Sequence, residues 1–305
     1  MGYQLWTSSL SGYRRRGTRL ADLRDLFDTG ITAQAIFEPL KSCPMDAPAF
    51  EMAETLRLLD FDVAGAQENE AAAPCAYVSR EALLAGIVRD HAQPFRAEDL
   101  VSDSTGMADL LKLLARQPHA FVLVGAGVRG IITRADLNKP PVRVCLFGLV
   151  SLFEMHMNYW IAEVFPNGSW RQRLTEVRIK TAEKFRKERQ RRGQDLGLLA
   201  CLQFCDKRDL ILCDRATWAK FGIEDETAAR DLLRKAGDVR DRLAHSNEDI
   251  SEGFGWTELA RVIGNLEGWL FRSDQAVEER AQVAAACYVD PLIPAGGRAR
   301  GRPGV

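Results

Sequence analysis

Met52-Ala53-Glu54-Thr55-Leu56-Arg57-Leu58-Leu59 recurs as Met107-Ala108-Asp109-Leu110-Leu111-Lys112-Leu113-Leu114, and that recurrence decides how the first half of the chain folds. A second block, Tyr77-Val78-Ser79-Arg80-Glu81-Ala82-Leu83, returns as Ile131-Ile132-Thr133-Arg134-Ala135-Asp136-Leu137. The offsets are 55 and 54 residues, so one unit is used twice. Each copy reads as a helix, one or two short strands (62–66; 121–124), and a strand running into another helix. Gly125-Ala126-Gly127 ahead of residues 128–132 gives the second copy a β-hairpin signal.

Working outward from the repeat, the period changes at Pro140-Pro141. Leu146, Leu149, Val150, Phe153, Met157, Trp160, Ile161 and Val164 fall on one face of a long helix, closed by Pro166-Asn167-Gly168. A second helix is expected from about Trp170, with Leu174, Val177, Thr181 and Phe185 turned inward. Shorter helices fit 196–205 and 208–212, and two more fit 227–244 and 257–271. Upstream, residues 1–18 read as a loosely held leader and 20–27 as a short amphipathic helix. The expected fold class is therefore an α+β repeat pair followed by an all-α bundle. The divisions are 1–29 (leader and first helix), 30–140 (repeat pair), 141–275 (helical domain) and 276–305 (tail, disordered after 291).

With 305 residues, 46% hydrophobic and 27% charged, the chain can bury two ordinary cores. Its net charge of −1 excludes a global pull toward nucleic acid or membrane, so any such attraction is local. The apolar run 144–153 is too short to span a bilayer, and no signal peptide is legible at the N-terminus. Seven cysteines without CxxC spacing, with Cys201, Cys205 and Cys213 among apolar residues, predict buried free thiols and a cytoplasmic setting. No Cys/His/Asp cluster has metal-ligand spacing, so no metal is expected.

The phrase Gly130-Ile131-Ile132-Thr133-Arg134-Ala135-Asp136-Leu137 resembles the Gly-h-h-Thr/Ser-x-x-Asp signature of tandem CBS domains, the Bateman module. The resemblance covers roughly 30–140 and is closer in the second copy, since the first has Ala76 for the glycine and Ala82 for the acid. It implies a regulatory module binding an adenine nucleotide (ATP, ADP or AMP). Thr133 would lie near phosphate or ribose, Asp136 would accept from ribose hydroxyls, and Ser79 would be the partial counterpart. A helix N-terminus favours such anions. The same Thr-x-x-Asp spacing is also an ordinary capping box, and both readings stand.

Residues 171–192 hold ten Lys/Arg against three Glu. Arg173, Lys180, Lys184, Lys187 and Arg191 recur at i, i+7, i+11, i+14 and i+18, a stripe suited to neutralising RNA phosphates, or simply a solvated face.

Arg240-Asp241-Arg242-Leu243-Ala244-His245 closes a predicted helix in an all-α context. This resembles the HEPN superfamily, whose hallmark is Arg, a small polar residue, three residues, then His. The resemblance covers roughly 142–272 and implies metal-independent RNA cleavage by a homodimer. His245 would take the 2′-hydroxyl proton, Arg240 would stabilise phosphate charge and Asp241 would orient them. Glu154 is the internal acid of the first helix. Five residues turn a helix by about 140°, so one chain does not stack Arg240 on His245, whereas two copies could converge them. A degenerate HEPN domain and a plain helix terminus with Asn247 as cap remain open. His156 is a weaker candidate near Glu154, and His91 and His119 read as surface loop residues. The composite expectation is a cytoplasmic nucleotide sensor controlling a ribonuclease. Its rival is a non-catalytic CBS regulator that docks a protein partner.

Overall fold

The computed structural model describes residues 5–8, 13–69, 72–245 and 249–287. The tail expected after 291 and the Asn247 cap lie outside them. In chain order, the antiparallel pair β1 (Trp6–Ser8) and β2 (Tyr13–Arg14) precedes α1 (Leu20–Gly30). The first repeat follows β3 (Glu38–Pro39) and comprises β4 (Ser42–Pro44), α2 (Ala49–Leu58), β5 (Val63–Gln67), β6 (Ala76–Ser79) and β7 (Gln93–Pro94). The second comprises β8 (Leu100–Ser102), α3 (Met107–Arg116), β9 (His119–Val124) and β10 (Gly127–Thr133). Beyond them come α4 (Pro140–Val164), α5 (Glu176–Arg191), α6 (Phe204–Leu212), α7 (Arg215–Trp218), α8 (Glu226–Ala244) and α9 (Gly255–Cys287), with no further strand among the described residues.

The chain divides into two compact units, neither of them a continuous stretch. A repeat unit gathers 21–151 and 227–267, and a helical unit gathers 1–20, 152–226 and 268–305. Because α4 and α9 each give residues to both, the change at residue 141 is one of secondary structure rather than the edge of a compact unit.

In the repeat unit, β4 lies parallel to β5, and β5, β6 and β7 follow antiparallel. The second sheet repeats these directions as β8, β9, β10 and β3. Its last strand comes from upstream of the first repeat, so the two copies are tied together by chain exchange. Tyr77 from one sheet meets Phe121 from the other at 4.8 Å between ring centroids, with Phe95 and His119 packed beside them. Burying a ring the size of Phe121 stabilises by about 1.5–3 kcal/mol. His119, expected on a surface loop, is thus a strand residue in an aromatic cluster, and burial lowers its pKa. Gly130 is required sterically, since a Cβ there would lie 2.3 Å from the Phe37 ring.

In the helical unit, the apolar face of α4 behaves as its spacing predicts: Phe153, Met157, Trp160 and Ile161 are buried, and Phe153 packs on Phe221 and Trp269. By length and composition α4 could cross a membrane, but half of its most apolar window is buried inside the protein, as in a core helix. The next helix starts at Glu176 rather than near Trp170. Asn167 and Gly168 adopt positive φ (57° and 74°), a kink that interrupts the 3-10 turns of residues 166–173 and postpones it. The expected inward face of α5 is also wrong. Val177 and Phe185 are 74% and 44% exposed, only Ala182 is buried, and Arg178 turns inward to pair with Asp206 and Asp209. The leader is not loose where described. Leu5, Trp6 and Arg14 are buried, because β1 and β2 pair and Arg14 finds carboxylates more than 250 residues away in sequence. Of the three cysteines expected inside, Cys201 is buried, Cys205 partly so and Cys213 exposed. Burial pushes the Cys145 thiol up to about 12, leaving it unreactive.

Candidate functional site

Strand β10 ends at Thr133, in extended geometry, and the chain turns into a 3-10 segment over Arg134–Asn138. That turn folds Asp136 back: its Oδ2 accepts from the Thr133 N–H at 2.7 Å and from Thr133 Oγ1 at 3.0 Å. Its Oδ1 lies 2.9 Å from Lys139 Nζ. Asp136 is only 7% exposed, so a neighbouring cation is what makes its burial affordable. Burial alone would lower the Lys139 pKa, but Glu38 and Asp136 outweigh it and hold the ammonium above its ordinary value. The Ile36 carbonyl accepts from the same ammonium at 2.6 Å. Lys139 lay outside the sequence pattern that marked Thr133 and Asp136. The signal available for it was only a basic residue three positions after the acid.

The first repeat lacks this arrangement. Ser79 begins the corresponding turn, Arg80–Ala82, but its hydroxyl makes no capping bond, and Ala82 replaces the acid. Arg80 pairs outward with Asp62 at 2.6 Å. The structure therefore keeps a hydroxyl and a carboxylate together in one copy only.

The proposed catalytic residues are not assembled within either unit. Arg240 lies just before the last turn of α8 and donates to its exposed neighbour Asp241 at 2.9 Å. His245, one residue past the helix, is exposed, and its N–H donates to the Asp241 carbonyl. No hydrogen bond or ion pair among the described residues joins its side chain to Arg240. Glu154 belongs to the helical unit, where its carboxylate receives the buried ammonium of Lys207 at 2.5 Å. A buried ammonium needs such a partner, so Glu154 is committed to holding α6 against α4. Arg242, unnoticed in the sequence, does more locally. It donates to the carbonyls of Ile250 and Glu252 and lies 4.7 Å from the Phe254 ring centroid, closing the connection from α8 to α9.

The basic stripe survives in part. Arg173 falls on the 3-10 segment, off the helix that carries the other four, and Lys180 pairs with Glu176 at 2.7 Å. Lys184, Lys187 and Arg191 are exposed and enter no ion pair among the described residues.

His156 is a structural residue instead of a second catalytic candidate. It is fully buried, with Nδ1 2.7 Å from Ser273 Oγ and Nε2 3.2 Å from the Thr18 carbonyl. Ser273 also accepts from Trp160 Nε1 at 2.8 Å, and Arg14 reaches Asp274, Glu278 and Thr18 beside it. Burial brings the His156 pKa down to about 4, with Arg14 pushing the same way and Asp274 and Thr18 opposing. A serine with no exposed surface admits no substrate, so this Ser-His-Asp grouping fastens the N-terminal strands to α4 and α9. His91 lies on an exposed turn, its Nε2 2.6 Å from the Ala85 carbonyl. No group of His, Cys, Asp or Glu among the described residues could hold a metal ion.

No protein-family model matches the chain, and no curated protein matches it. The solved structures it resembles include CBS-domain proteins. The CBS-pair protein CBSX2 from Arabidopsis thaliana is 21% identical with a TM-score of 0.32, over 39% of this chain and 96% of that one. CBSX2 in complex with AMP is 18% identical with a TM-score of 0.33, over 38% of this chain and 98% of that one. A CBS domain-containing protein of unknown function from Bacillus anthracis is 11% identical with a TM-score of 0.33, over 37% and 94%. Likeness at this level assigns neither family nor ligand to the chain.

Proposed function

We propose that the chain is a nucleotide-responsive regulatory protein. In this reading its repeat pair is a CBS-type module taking an adenine nucleotide at Thr133 and Asp136, and it governs HEPN-type helical residues that cleave RNA without a metal, in a cytoplasmic homodimer. The observation supporting the nucleotide half is the Asp136 carboxylate, buried at a strand end and faced by an ammonium. Ribose hydroxyls take lone pairs left on that carboxylate, and Lys139 exchanges the exposed Glu38 for a phosphate oxygen while keeping Asp136 Oδ1, so the buried charge stays compensated throughout. Thermal unfolding with saturating ATP, ADP or AMP tests this. A ligand that binds only the folded state raises the midpoint, and no shift from any of the three rejects the reading.

A second reading, in which the helical residues are non-catalytic and dock a protein partner, is favoured by the pairing of Arg240 with Asp241 and of Glu154 with Lys207. Incubation with total RNA and chelator separates the two: fragments support the nuclease, and intact RNA with and without nucleotide supports the regulator.

A further inference from the structure

The turn that carries Asp136 also carries bonds to the end of α8, all of them within the repeat unit. Asn138, between Asp136 and Lys139, turns its side chain away from both: its Oδ1 accepts from the Ile250 N–H at 2.9 Å. Ile250 is fully buried, and Arg242, in the last turn of α8, donates to its carbonyl and to that of Glu252. A second set of bonds leaves the same turn. The Arg143 N–H donates to the Lys139 carbonyl at 3.2 Å, and the Arg143 guanidinium donates to the Arg242 carbonyl at 2.9 Å. Both routes therefore meet at Arg242, two residues after Arg240 and three before His245. At the 54-residue offset, Asn138 and Arg143 correspond to Leu84 and Arg89. Leu84 is 75% exposed and has no acceptor in its side chain, and Arg89 pairs with Glu68 of its own repeat at 2.6 Å. The copy that keeps both the hydroxyl and the acid is thus the copy bonded to α8.

Two sites are coupled when both bias one element that opens and closes. The turn Arg134–Asn138 is such an element. A nucleotide that contacts Thr133, Asp136 and Lys139 binds only the closed turn and makes its opening rarer. Bonds that break when the turn opens then break less often as well. We infer that Asn138 and Arg143 transmit nucleotide occupancy from this turn to the end of α8, where Arg240 and His245 stand. Both are positioning residues, since neither side chain meets nucleotide or RNA. This coupling rests on the nucleotide half of the proposed function, and it holds whether the end of α8 cleaves RNA or docks a partner.

Hydrogen–deuterium exchange of the full chain, with and without saturating ATP, ADP or AMP, tests it. The proteins are wild type, Asn138→Ala and the double variant Asn138→Ala/Arg143→Met, each checked for folding by circular dichroism melting. In wild type, at least one nucleotide should slow exchange about fivefold or more at 134–138 and also at 240–245 and 249–252. Asn138→Ala should keep the slowing at 134–138 and lose most of it at 249–252. The double variant should lose it at 240–245 as well, a split that a purely structural role would not produce. Slowing confined to 134–138 in wild type overturns the coupling, leaves the nucleotide reading intact and needs no variant to show it. A folded variant that responds as wild type does overturns the coupling too, and Asn138→Ala decides alone if the double variant does not fold. No slowing anywhere with any of the three nucleotides overturns the nucleotide reading, and the coupling with it.

Discussion

Lys139 Nζ lies 2.9 Å from Asp136 Oδ1, so the acid that the sequence marks for a ribose is already engaged by a cation of the same turn. The pair is bridged further by Glu38 and the Ile36 carbonyl. If the ammonium serves a phosphate when nucleotide binds, Lys139→Ala should cost ATP and ADP affinity by about tenfold, while adenosine loses nothing. Calorimetric titration of ATP and adenosine side by side reads this. An equal loss for both ligands, or none for either, removes Lys139 from the phosphate.

On α5, Lys184 and Lys187 are exposed and outside the ion pairs, so they are the cations most available to a polyanion. Reversing both to glutamate should weaken binding of every RNA sequence and lower the slope of log affinity against log salt by roughly 1–2. Filter binding across a salt series shows it. An unchanged slope places no RNA on this helix.

For the nuclease reading, His245→Ala and Arg240→Ala should each lower RNA cleavage by about 10²-fold or more, with the melting temperature intact because both side chains reach solvent. Products should carry 2′,3′-cyclic phosphate, EDTA should not inhibit, and DNA should survive. Cleavage requiring added Mg²⁺ contradicts the mechanism.

The fastening around His156 predicts a pH dependence of stability. The folded pKa is depressed from 6.5 to about 4, so the unfolded chain binds the proton first and stability is lost as pH falls through that interval. The shift corresponds to roughly 3 kcal/mol at full effect. Urea unfolding at pH 7 and pH 5 should show wild type losing stability and His156→Gln losing clearly less. Burial depresses His119 in the same direction, so the slope should shrink without vanishing. Glu258 separates from this window. Held down to about 2 chiefly by the hydrogen bond from Arg261, it contributes above its unfolded pKa of 4.5, and its share is lost only below that. Equal slopes in wild type and variant above pH 4.5 would show that His156 does not carry the effect.

What the sequence discloses follows the range of the interactions involved. The repeat at 52–59 and 107–114 is a local pattern copied once, and it leads to two sheets with matching strand directions. The apolar face of α4 is equally legible, because 3.6-residue periodicity needs no distant partner. Arg14 is the opposite case: its carboxylates are Asp274 and Glu278, and nothing near Arg14 in sequence announces burial. The late start of α5 depends on the two positive φ angles at Asn167 and Gly168, which shift the boundary without changing the composition. At the candidate site, Thr133 and Asp136 were readable from spacing, whereas Lys139 needed the turn to be folded before its ammonium met Oδ1. Arg240 and His245 were readable as types, but their geometry within one chain does not join them.

The central claim, that Asp136 holds a nucleotide, is tested most directly by isothermal titration of ATP, ADP and AMP into wild type and Asp136→Asn at pH 7. The account predicts saturable binding of at least one of them to wild type, at one site per chain. It predicts a loss of about 1–3 kcal/mol in the variant, the cost of removing a charged acceptor from hydroxyls left buried. Absence of heat with all three nucleotides, or equal affinity for both proteins, would contradict it and leave Thr133 and Asp136 as a capping box alone.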